Sequence, residues 1–157
     1  MPELTIIKRN ARAILLDGND VVLIKRTKPG RDPYGVTVGG GVETADASIE
    51  DALRREVFEE LGGKLSKAEL VYLITDTLED GLGVQHIFAA RLERMDIEAR
   101  SGTEFDMPER GSYEVVRVPF TAEAIRQLNL MPPELAEFAA GNVEAIKAVL
   151  NTPIRAS

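Results

Sequence analysis

Three glutamates carry the chemistry this chain can do: Glu56, Glu59 and Glu60, in the run GGGVETADASIEDALRREVFEELGG from Gly39 to Gly63. Ser48 is a good helix N-cap, and Glu50 and Asp51 put negative charge where the helix dipole favours it. Gly62 and Gly63 follow Leu61 as a C-terminal stop, so the spacing predicts a helix over Ile49 to Leu61. With Ile49 at zero and about 100° per residue, Leu53, Val57 and Leu61 fall near 40°, 80° and 120°, and Ala52 near 300°. Glu60 falls at about 20°, Glu56 at about 340° and Glu59 at about 280°. Three carboxylates therefore converge at the edge of the apolar arc.

Glu56 and Glu60 are an i,i+4 like-charge pair, unfavourable even in water. Near a core, unpaired carboxylates cost far more. A hard divalent cation that takes oxygen ligands, Mg²⁺ or alternatively Mn²⁺, would remove the conflict. The plainer alternative is a solvated acidic face. The glycine run just upstream favours the cation, because glycines let backbone approach a ligand closely. A helix start, backbone groups and a metal cluster then converge, which suits a phosphate-bearing substrate.

The elements that must position these groups follow from patterning. Leu4 to Leu16 and Val21 to Lys25 read as strands of a hairpin around Asp17-Gly18-Asn19-Asp20. Tyr34 to Val38 reads as a short strand entering the glycines. Glu69 to Thr77 and Val84 to Glu93 form a second hairpin, and Tyr113 to Pro119 another strand. Met95 to Ser112 is a long polar loop. Thr121 caps a helix over Ala122 to Leu128, and Pro133 to Ala140 and Asn142 to Leu150 are helical. Strands flanking a helix, with helices at the end, predict an α+β layered domain.

The chain has 157 residues, which predicts one domain over residues 1–157. There is no cysteine, hence no disulfide framework, thiol nucleophile or zinc-thiolate site. No apolar run is long enough to span a membrane and no secretory leader is evident, which favours the cytoplasm. The net charge of −7 argues against broad nucleic-acid binding but not against a nucleotide, since bound metal reverses the local field.

The Gly40 to Gly63 stretch resembles the Nudix box, G-x5-E-x7-R-E-U-x-E-E-x-G-U with U a bulky apolar residue. Arg55, Glu56, Val57, Glu59, Glu60 and Gly62 match its second half without a gap, and Gly40 matches the leading glycine. Glu43 completes a GGxxE sequence common in the family. Ala47 stands where the first glutamate belongs, and Asp46, one residue earlier, takes its part through a one-residue insertion. Gly63 stands where an apolar residue is expected.

The resemblance implies a Nudix-type α/β/α sandwich with a central mixed sheet. It also implies metal-dependent hydrolysis of the diphosphate linkage in a nucleoside diphosphate joined to another group. Glu56, Glu59, Glu60 and the Gly40 carbonyl are then the metal ligands, and Glu59, Glu56, Glu104 and Arg55 the catalytic set. Arg55 orients a carboxylate; its local alternative is a surface pair with Glu59. Glu104, in the polar loop with Asp106 and Glu109, is the expected general base. The alternatives are a solvated loop acid there, or a helix glutamate as base. A homodimer is allowed by the resemblance alone.

Arg26, Lys28 and Arg31 precede the glycine loop and would suit substrate phosphates; ordinary exposed cations are the alternative. Tyr34 or Phe105 could stack on a base. His86 alternates with Val84 and Phe88 on a strand, so it reads as a packed residue, not a ligand. Leu78, Glu79 and Asp80 stand where some family subgroups carry a marker proline or tyrosine, which leaves the substrate class general. Two further readings remain: a nucleotide-binding regulatory module with no turnover, and an acidic helix in an unrelated α+β protein.

Overall fold

The computed structural model describes residues 5–96 and 111–152. Their strands are β1 (Ile6–Asp17), β2 (Asp20–Thr27), β3 (Tyr34–Val36), β4 (Val38–Gly41), β5 (Lys64–Leu78), β6 (Gly81–Arg94), β7 (Ser112–Pro119) and β8 (Leu130–Met131). The helices are α1 (Ile49–Leu61), α2 (Ala122–Gln127), α3 (Pro133–Gly141) and α4 (Val143–Asn151). Among the described residues no helix is long and apolar enough to cross a membrane.

The strands form one mixed sheet in the order β5-β6-β1-β2-β3-β8, with β4 on β1 and β7 on β2. Its centre is the parallel pair of β1 and β6, from Ile6 beside Leu82 to Leu16 beside Arg91. Where the sheet is covered on both faces, β1 is a continuous apolar run, Ala13 to Leu16. Ala11, Ala13 and Leu15 pack with Leu53, Val57 and Leu61 of α1. Ile14 and Leu16 point the other way, into a core with Ile125 of α2, Leu135 of α3 and Ile146 of α4. This is the expected α/β/α sandwich.

One edge of β1 changes partner along its length. Leu15 to Asp17 pair with β2, whereas Asn10 to Ala13 pair with β4. The matching stretch of β2, Ile24 to Arg26, pairs with β3. β1 and β2 thus splay apart, and the segment β3–Thr37–β4 lies in the fork. The single strand expected over Tyr34 to Val38 is therefore two strands broken at Thr37, because each half serves a different neighbour. The strands of the second hairpin are longer than expected, Lys64–Leu78 and Gly81–Arg94 in place of Glu69 to Thr77 and Val84 to Glu93. β8 escapes patterning because two residues paired with β3 carry no periodicity.

Candidate active site

α1 has the predicted bounds. Ser48 Oγ accepts the Asp51 backbone N–H at 3.0 Å. Gly62 adopts the left-handed conformation, φ 61°, and its N–H reaches the Phe58 carbonyl while that of Gly63 reaches Val57. A Cβ on Gly63 would lie 2.9 Å from Val57 Cγ1 and 3.1 Å from Leu92 Cδ1. Those two side chains fill the space that an apolar residue takes in the family pattern.

The helix delivers its acids to a cleft at the fork between β1 and β2. Glu56, Glu59 and Glu60 line a cavity of about 420 Å³ together with Gly39 to Gly41. Glu60 is 8% exposed, whereas the Glu59 side chain is 36% exposed at the mouth. The glycines are required by contact. Gly39 has φ 146°, and a Cβ there would stand 2.1 Å from the Ala11 carbonyl oxygen. A Cβ on Gly40 would sit 2.7 Å from the Glu56 carboxylate carbon. The glycine strand is a cradle shaped for that carboxylate.

Arg55 organises the rim. Its Nε donates to Asp46 Oδ1 and its Nη2 to Asp46 Oδ2, both at 3.0 Å. Nη2 also donates to the Gly41 carbonyl at 2.9 Å. Nη1 donates to Glu56 Oε1 at 3.0 Å and to Glu59 Oε2 at 3.2 Å. Asp46 Oδ2 accepts the Glu43 backbone N–H at 2.8 Å, which ties the loop to the same ion pair. The bond from Arg55 holds the Asp46 carboxyl below its ordinary value, and the bond from Asp46 raises that of the guanidinium. Asp46 thus makes the loop-to-helix bridge despite the insertion. Its shorter side chain suffices because the loop turns at Glu43 to Asp46.

The rest of the cavity's lining is Arg12, Ile24, Arg26, Val36, Thr37 and Tyr113. The Arg26 guanidinium lies over the Tyr113 ring, 3.6 Å from its centroid. Thr37 is 2% exposed, and its hydroxyl has no hydrogen-bond partner among the described residues. Arg12 Nη1 donates to the Thr37 carbonyl at 3.0 Å. Sequence reasoning missed Arg12, Thr37 and Tyr113. The one signal was a basic residue inside an apolar strand; Tyr113 and Thr37 are joined to the site only by tertiary pairing.

Of the expected substrate residues, Arg26 lines this cavity and Lys28, Arg31 and Tyr34 do not. Arg31 lies over the Tyr34 ring, 4.0 Å from its centroid, and Tyr34 lines a different cavity with Gly35 and Val116. Glu104, Phe105, Asp106 and Glu109 lie outside the described residues. His86 is buried, and its Nε2 is 3.0 Å from Arg9 Nη1.

The acids fit a hard divalent cation by donor type and by the cradle at Gly40. In the arrangement seen, no three acidic or histidine side chains among the described residues are gathered as a ready-made ion site. Two of the carboxylates are engaged by Arg55 instead.

Fold and site together define an α/β/α-layered protein with an acid-lined, glycine-walled cleft. The NUDIX domain model matches residues 7–141, and the chain belongs to the Nudix family, whose members are pyrophosphohydrolases acting on small-molecule substrates. No curated protein matches the sequence. A NUDIX hydrolase from Nitrosomonas europaea has a similar fold, with TM-score 0.67 and 18% identity, covering 93% of this chain and 97% of its own. The E. coli ORF135 protein follows with TM-score 0.60 and 21% identity over 92% and 91% of the two chains. The mutator MutT protein of Bacillus halodurans gives 0.53 and 22% over 93% and 84%.

Proposed function

We propose that this Nudix protein is a divalent-metal-dependent hydrolase of the diphosphate linkage in a nucleoside diphosphate joined to another group. The observation that carries the reading is one cavity lined by two unlike sets of groups. Carboxylates and glycine backbone make up one set, and Arg26, Tyr113 and Thr37 the other. Glu56, Glu59, Glu60 and the Gly40 carbonyl would hold Mg²⁺, or Mn²⁺ in its place. Such an ion, when bound, neutralises phosphoryl oxygens and lowers the pKa of a bound water. Arg55 restrains Glu56 and Glu59, and Asp46 restrains Arg55. Arg26 offers a positive charge to the diphosphate, backed by the Tyr113 ring. Glu104 is the proposed base, with a helix glutamate as its alternative.

A nucleotide-binding module without turnover is the second reading. It draws on the carboxylates being engaged by Arg55 rather than gathered for an ion. The test is phosphate release, coupled to a phosphatase, from nucleoside triphosphates, nucleotide sugars, ADP-ribose and dinucleoside polyphosphates. Each is run with Mg²⁺, with EDTA and with Glu59→Gln. Metal-dependent turnover lost in Glu59→Gln supports the hydrolase. Absence of turnover with melting still raised by metal and nucleotide supports the module.

A further inference from the structure

β5 is the outermost strand of the sheet. β6 pairs with one of its edges, and among the described residues no strand pairs with the other. It runs for 15 residues, Lys64–Leu78, without glycine or proline. A long free edge is ordinarily guarded by charge, because its unpaired N–H and C=O groups invite another strand. The middle of β5 carries leucines instead: Leu70 and Leu73 are each 52% exposed.

A bulge brings these two leucines onto one face. Leu70 pairs with Phe88 and Leu73 with His86, two residues apart on β6. Between them Tyr72 pairs with Ile87, and Val71 is the extra residue. Phe88 packs with α1, so the leucines share the α1 face, while Val71, Tyr72 and Ile74 turn to the other core. In a regular strand, residues three apart would point to opposite faces.

The strand is therefore complementary to itself. A second β5 laid antiparallel on the free edge, with the two-fold axis between Val71 and Tyr72, sets each Leu70 opposite the partner's Leu73. The two are then on one face, with Cβ atoms about 5 Å apart. Without the bulge this register would oppose side chains of different faces. The same register sets Lys67 opposite Asp76, and their pairings with Arg91 and Gly83 place both on the other face. The basic half of β5, Lys64 and Lys67, thus meets the half that ends in Asp76, with Glu79 and Asp80 beyond. Lys67 Nζ also bonds the Val149 and Thr152 carbonyls, so its charge acts on the partner at longer range. A parallel neighbour would oppose like charges.

We propose that two copies of this chain associate through β5, edge to edge and antiparallel, with Leu70 of each against Leu73 of the other, so that the two sheets become one. The interface is isologous and closes after two copies. β6 stands between β5 and the fork at β1, so the acid-lined cavity takes no part in it. The proposal does not rest on the hydrolase reading.

The experiment is sedimentation of the full chain over a concentration series, on wild type and Leu73→Lys, with a cysteine-pairing arm. Wild type passes from one chain to two as concentration rises through the micromolar range. Leu73→Lys keeps its fold by circular dichroism, since the side chain is half exposed, and associates at least about tenfold more weakly, because each copy would bury an unpaired ammonium. The chain has no cysteine of its own, so introduced thiols report alone. Under mild oxidation, a mixture of Leu70→Cys and Leu73→Cys, one of them carrying a size tag, links into the mixed dimer faster than either variant links to itself. A chain that stays single at every concentration overturns the proposal. So does a Leu73→Lys variant that associates like wild type, or a cysteine mixture that links no faster than its components. Should Leu73→Lys not fold, the cysteine mixture decides by itself.

Discussion

Asp46 grips Arg55 by both edges of the guanidinium, with Nε and Nη2 each 3.0 Å from a carboxylate oxygen. Asp46 belongs to the loop and Arg55 to the helix, so this fork sets the angle between the glycine cradle and the acids. A planar guanidinium held in this way cannot swing, and its remaining N–H groups fix Glu56 and Glu59.

Breaking that fork should damage activity more than folding. With Glu56 and Glu59 as the proposed metal ligands, Asp46→Ala is expected to lower kcat by about 10–100-fold, the usual cost of losing a group that orients such ligands. Circular dichroism should show α1 retained. Asp46→Glu tests the geometry: the longer side chain must refit a loop already turned at Glu43, so activity stays below wild type while charge is unchanged.

Gly40→Ala forces a Cβ to within 2.7 Å of the Glu56 carboxylate carbon. Either Glu56 or the strand must move. The overpacking should cost about 1–3 kcal/mol, read as a Tm loss of a few degrees. Metal-dependent turnover should fall further than that loss explains, because Glu56 is the residue displaced.

Arg26→Ala removes the cation stacked on Tyr113. If that charge holds substrate equally in ground and transition states, KM rises about tenfold with kcat little changed. Arg31→Ala, whose guanidinium lies over Tyr34 instead, should leave both constants near wild type.

Acid should weaken the fold through His86, the sole histidine. Burial, and then the charge of Arg9, lower its pKa below the ordinary 6.5. The unfolded chain therefore takes up the proton more readily. The contribution of His86 to stability is complete above about 6.5 and is lost as pH falls through the folded-state value. A Tm profile from pH 7.5 to 5 should fall more steeply for wild type than for His86→Gln. NMR titration of the single imidazole should give a depressed midpoint.

What could be read from sequence was what local rules govern. Helix α1 was bounded by a cap and a glycine stop. Its wheel angles set Glu60 nearest the apolar arc and Glu59 furthest, and their burial follows the same order. The hairpin of β1 and β2 was announced by its turn. The family resemblance supplied the sandwich, which periodicity alone does not. What escaped depends on long-range pairing. Thr37 breaks a strand only because β1 and β2 diverge, and Arg12 lines the acid cavity only because β4 lies against β1. Asp46 takes up the bridge because a turn, not residue spacing, carries its carboxylate to Arg55.

The parallel pairing of β1 with β6 has a consequence in time. β1 (Ile6–Asp17) is synthesised well before its partner, which begins only at Gly81. Until then one flank of an apolar strand is unpaired, and Arg9 has no His86 to meet. β2 waits longer still, for β7. Closing such distant pairs is slow and leaves strand edges exposed meanwhile. The sheet around the acid-lined cavity thus closes only after β6 is made, and a nascent chain stalled before β6 would carry the acidic helix without the sheet it packs on.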